Sequence, residues 1–68
     1  MRNKHFVKYP ELEAEMAKRG HSQKDLSKIV GLNEGSISRR LSGEKEWKLS
    51  EILKVCEAYG KSFYELFK

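Results

Sequence analysis

The sequence holds one cysteine and one proline in 68 residues. A lone Cys56 excludes a disulfide within the chain and fits a reducing compartment. No stretch approaches the roughly 20 apolar residues that a membrane span needs. Met1 to Tyr9 carries charge but no apolar run of signal-peptide length. The expected location is therefore cytoplasmic, with no membrane partner. His5, His21 and Cys56 stand at spacings that match no metal-ligand pattern, so no metal site and no cofactor is expected. No hydrolase elbow, phosphate-binding loop or dinucleotide fingerprint is present. A chain of this length is expected to form one domain, hiding roughly 60% of its unfolded surface, which leaves little room for a catalytic pocket and its supporting shell. The chain is read as not an enzyme.

What the sequence has is charge arranged between apolar residues at helical spacing. Charged residues make up 35% of the chain, with 14 Lys and Arg against 10 acids and a net charge of +4. Such a balance suits a polyanionic partner, although net charge speaks to non-specific attraction and not to fold.

The spacing predicts an all-α chain of five helices. Pro10 suits a first helical turn, where its missing N–H costs nothing. Glu11, Glu13 and Glu15 follow near the positive end of the helix dipole, with Lys18 and Arg19 near the negative end. The first helix is expected over Pro10 to Arg19, with Tyr9, Leu12 and Met16 on one face. Ser22 with Asp25 resembles a capping box; Leu26, Ile29 and Val30 then form a stripe that stops at Gly31. Asn33 caps a third helix whose seam is Ile37 and Leu41 and which closes before Gly43. Glu44 to Lys48 reads as a charged loop. Leu49, Ile52, Val55, Cys56 and Tyr59 give the stripe of a fourth helix ending at Gly60. Ser62 with Glu65 opens a short fifth helix carrying Phe63, Leu66 and Phe67. The first nine residues read as an arm and residues 10–68 as the folded domain. Arg2, Lys4 and Lys8 of that arm reach a polyanion or simply fray.

Two short helices joined by Gly31-Leu32-Asn33 form the informative unit. A helix-turn-helix needs a turn of three or four residues and apolar residues facing inward on both helices; Leu26, Val30, Leu32, Ile37 and Leu41 meet that need. The outer face of the third helix is left with Glu34, Gly35, Ser36, Ser38, Arg39 and Arg40, a short polar surface that fits a major groove roughly 12 Å wide.

The stretch SQKDLSKIVGLNEGSISRRLSG, Ser22 to Gly43, resembles the helix-turn-helix of the Cro/CI-type (lambda-repressor-like) phage repressor family. The later LSEILKVCEAYGKSFYELF resembles that family's fourth and fifth helices. The resemblance implies a compact five-helix bundle whose third helix enters the major groove of double-stranded DNA. It places Gln23 on the DNA backbone, Glu34, Gly35 and Arg39 at base-reading positions, and Ser36 and Lys45 near phosphates. Asn33, Ser38, Arg40 and Lys48 complete the expected DNA-binding set. It further implies a sequence-specific transcriptional regulator, a phage-type repressor acting on a palindromic operator as a monomer or weak homodimer, formed if at all around Tyr59, Phe63, Tyr64 and Phe67. The competing reading is a protein-interaction or antitoxin-like module of the same fold with little DNA readout.

Three departures from the family pattern bear on this. Ser27 replaces a usual Ala and is small enough to fit. Gly35 has no side chain with which to read a base. Arg40 and Leu41 stand where an apolar residue and Glu are usual, which turns Leu41 inward and Arg40 outward toward DNA or solvent. Trp47 is read as a lid on the core, with stacking on DNA as the alternative; Lys24 and Lys28 are read as a solvated face.

Overall fold

Caps and glycines set the element boundaries in the computed structural model, which describes residues 7–67. The helices are α1 (Pro10–Lys18), α2 (Gln23–Val30), α3 (Glu34–Ser42), α4 (Leu49–Tyr59) and α5 (Phe63–Phe67), and no strand occurs among the described residues. The Ser22 hydroxyl accepts from the Asp25 N–H while the Asp25 carboxylate accepts from the Ser22 N–H at 2.8 Å, closing the capping box. The Asn33 side chain accepts from the Ser36 N–H at 2.8 Å. Ser62 and Glu65 exchange the same pair of bonds at the entry to α5. Gly31 and Gly43 take φ of +88° and +89°, a left-handed conformation that a Cβ penalises. Each thereby ends one helix of the turn unit.

The core draws Leu12 and Met16 from α1, Leu26 and Val30 from α2, Ile37 and Leu41 from α3, Val55 and Tyr59 from α4, and Leu66 and Phe67 from α5. Helix α2 packs against both α3 and α4, while α5 closes the bundle against α1 and α4. Trp47 folds over this core as expected, its ring meeting that of Phe67 edge to face at 5.2 Å.

Helix α4 keeps most of its expected stripe, with Val55 and Tyr59 buried and Ile52 and Cys56 packed against the core, and departs from it at one end. Leu49 was placed on the buried stripe, yet it is 70% exposed, and Leu53 is 57% exposed. Glu51 joins the expected Val55 and Tyr59 on the buried line of α4, and the three recur at i, i+4 and i+8. At about 100° per residue, Leu49 and Leu53 lie on the far side from that line. A carboxylate occupies an inward position that an apolar-periodicity argument assigns to carbon. The expected aromatic patch is smaller for a related reason: Tyr59 and Phe67 are buried, leaving Phe63 and Tyr64 exposed.

Polar ties fasten the helix ends. Arg19 donates to Glu15 at 2.8 Å and to the Tyr59 carbonyl at 2.8 Å, with its guanidinium 4.5 Å from the centre of the Tyr59 ring. The sequence placed Arg19 only in a last turn; in the fold it also satisfies a free carbonyl at the end of α4, as helix termini require. His21 shares a 2.9 Å hydrogen bond with the Tyr59 hydroxyl, and Lys54 donates to the Val30 carbonyl at the end of α2.

Candidate nucleic-acid interface

The turn unit presents α3 by its seam. Ile37 and Leu41 are buried four residues apart, and Leu32 of the turn packs partly against the same core. With that stripe inward, Glu34, Gly35, Ser38 and Arg39 are exposed and Ser36 is half-buried. Asn33 is exposed, but its side-chain oxygen is committed to the Ser36 N–H, so its part at this surface is to set the start of α3.

Arg39 is the cation of the outer face. It makes no ion pair among the described residues, and one of its terminal nitrogens lies 4.0 Å from the point where a Cβ on Gly35 would stand. The side chain therefore leans back one turn along α3, over the residue that has no side chain. Gly35 reads nothing directly, but it leaves the ground over which Arg39 extends.

Arg40 corrects the sequence expectation. It is 5% exposed and points into the protein. Its Nε donates to one oxygen of Glu51 at 2.9 Å and a terminal nitrogen to the other at 3.3 Å. A further terminal nitrogen donates to the Ser36 carbonyl at 3.2 Å. The Glu51 carboxylate also accepts from the Lys48 N–H at 2.9 Å. Burial alone pushes the Glu51 carboxyl upward, and the Lys48 N–H together with Arg40 outweighs it, holding the pKa below the ordinary glutamate value. Two charges this well buried persist only when paired and hydrogen-bonded. An exposed Arg40 would leave Glu51 without its charged partner, so Arg40 is withdrawn from the DNA-facing set.

The remaining candidates flank α3. Gln23 is exposed at the first position of α2, and Lys24 and Lys28 are exposed along the same helix. Lys45 and Lys48 are exposed after α3 and make no ion pair among the described residues. Lys8, read with the frayed arm, is brought to this end of α3. Its methylenes come within 3.1–3.5 Å of the Cβ position of Gly43, and it lines one hollow together with Lys45 and Trp47. No local signal in the sequence placed it there, because the contact joins residues 35 positions apart. Arg2 and Lys4 lie outside the described residues.

Burial pushes the Cys56 thiol up, with Glu65 adding to the effect, so it stays protonated. No cluster of three or more His, Cys, Asp or Glu suited to a metal ion occurs among the described residues, and no helix of theirs is long and apolar enough to cross a membrane. The arrangement suits binding by an exposed polar helix face with cations on either side.

The family described as the Cro/C1-type HTH DNA-binding domain matches residues 11–68. No curated protein and no solved structure gives a match.

Proposed function

The chain belongs to the Cro/C1-type HTH DNA-binding domain family, and from that premise we propose that it is a sequence-specific repressor of phage type which sets α3 in the major groove of a palindromic operator. The single observation that carries this reading is Arg39, a guanidinium on the exposed face of α3 with no ion pair among the described residues. A guanidinium presents a fork that matches O6 and N7 of guanine. Glu34, exposed in the first turn of α3, is an acceptor for a cytosine amino group. Gln23, Ser36, Ser38, Lys45 and Lys48 take the backbone, where contacts fix register and carry little sequence information. Lys8 joins them at the closing end of α3. Residues 1–9 act as an arm on the domain of residues 10–68.

Two copies read half-sites one helical turn apart. The exposed Leu49, Leu53, Phe63 and Tyr64 give a small apolar supply for pairing, so the chain is a monomer or weak dimer that pairs on DNA. It works in the cytoplasm, without cofactor or catalysis.

The test is selection of bound sequences from a random duplex pool, followed by a salt titration on the selected duplex. The expected results are a two-fold symmetric site holding two chains, and a log affinity that falls with log salt by about 0.9 for each phosphate neutralised. Failure to bind any duplex at low salt overturns the reading and leaves the protein-interaction module in its place.

A further inference from the structure

The buried pair formed by Arg40 and Glu51 is more than α3 needs in order to stay attached. The apolar seam of Ile37 and Leu41 against α2 already holds the helix. Apolar burial is non-directional, however: it penalises separation strongly and a small roll about the helix axis weakly. A guanidinium–carboxylate fork is directional, since two parallel N–H···O bonds fix both distance and orientation. Here the fork runs from the last turn of α3 to the first turn of α4. Arg40 also grips its own helix one turn back, at the Ser36 carbonyl. The carboxylate at the far side is itself held by the Lys48 N–H, so the loop carrying Lys45 closes on the same group.

We propose that the Arg40–Glu51 pair is a positioning device that sets the roll of α3 about its seam and thereby aims Arg39 at the base edges. This rests on the reading of α3 as the helix that enters the groove. The two arginines are adjacent, so their side chains leave the helix about 100° apart. Fixing Arg40 to α4 fixes the direction of Arg39 as well. Sequence readout by a single fork needs that direction, whereas attraction to phosphate does not. The pair is a costly way to gain stability, because well-packed apolar residues of similar volume do as well or better. Its worth is in orientation.

The inference is tested with the full chain, comparing wild type with Arg40→Met/Glu51→Met. The double variant removes one charge of each sign, so the net charge is unchanged. It keeps the helical content and thermal midpoint of the wild type, or exceeds that midpoint. Its affinity for an arbitrary duplex at low salt stays within about threefold of wild type, because phosphate attraction supplies that binding. The ratio of affinities for selected and arbitrary duplexes falls by about tenfold or more. A folded double variant with an unchanged ratio overturns the positioning role. Should the double variant not fold, Arg40→Lys carries the test: it keeps the charge and loses the fork. A reduced ratio in the folded Lys variant supports the proposal, and an unchanged one overturns it. A wild-type chain that binds all duplexes equally overturns the underlying reading of α3 instead, and is seen before any variant is made.

Discussion

Two adjacent arginines have opposite fates, and the cause lies eleven residues further along. Arg39 is exposed and has no ion pair among the described residues, while Arg40 is buried against Glu51. The third-helix sequence alone made them equivalent members of one polar face, since nothing between Glu34 and Ser42 announces a buried acid on the next helix. What was legible was Arg39, because Ile37 and Leu41 fix which side of α3 is inward. The identity of the guanine reader is a residue-scale claim and has a residue-scale test. Replacing Arg39 with Ala is expected to cost about 1–3 kcal/mol on the selected duplex and to relax the preference at one base pair. Arg39→Lys keeps the charge without the fork, so it should restore binding to arbitrary duplexes and not the base preference. Competition binding against single-base variants of the site measures both. An Ala variant that keeps the wild-type preference removes Arg39 from the reading face.

At the scale of the element, each helix start is written locally and each helix face is written globally. Ser22 with Asp25, Asn33, and Ser62 with Glu65 all cap as their spacing predicts. A cap needs only a side chain and an N–H two or three residues away, which is why these boundaries were readable. The face of α4 was readable through Ile52, Val55, Cys56 and Tyr59 but not at its start, where Leu49 is exposed and Glu51 takes the inward place. The start of α3 is where element and function meet. The Asn33 cap precedes the turn that bears Glu34 and Gly35, so losing it frays the leading end of the helix we propose to enter the groove. Asn33→Ala is expected to lower stability by about 1 kcal/mol in denaturant unfolding. The loss of affinity for the selected duplex should exceed the loss for arbitrary DNA. Asn33→Asp keeps the acceptor and should keep the stability. An Ala variant as stable as wild type shows that the cap does not hold α3.

Over the whole molecule, four carboxylates are held charged by their partners, Asp25 and Glu65 as caps of single helices and Glu51 as a tie from α4 to α3. The Arg19 hydrogen bond, with Lys18 and Lys61 nearby, holds Glu15 below its ordinary value against the effect of burial. The Ser22 N–H and hydroxyl do the same for Asp25, and the Ser62 N–H and hydroxyl for Glu65. For Glu51 burial is the largest influence and acts upward, yet the Lys48 N–H and Arg40 prevail. A carboxyl whose pKa is lower folded than unfolded stabilises the fold above its unfolded value, and that contribution is lost as pH falls through the folded one. All four therefore act in the same direction, and the thermal midpoint should begin to fall below about pH 4.3, the ordinary glutamate value. Burial raises the Cys56 and Tyr59 pKa values, which is the opposite sign for the opposite limb: their contribution is present at neutral pH and lost as pH rises through the folded values. Stability should thus form a plateau bounded on the acid side by these four carboxylates. Glu51 is the tie between α3 and α4, so Arg40→Met/Glu51→Met should show a shallower acid limb than wild type while its alkaline limb is unchanged. Thermal unfolding from pH 3 upward, followed by circular dichroism, measures this. Superimposable acid limbs would mean that Glu51 contributes nothing to the acid sensitivity, and that the pair holding α3 to α4 is too loose in solution to shift a proton equilibrium.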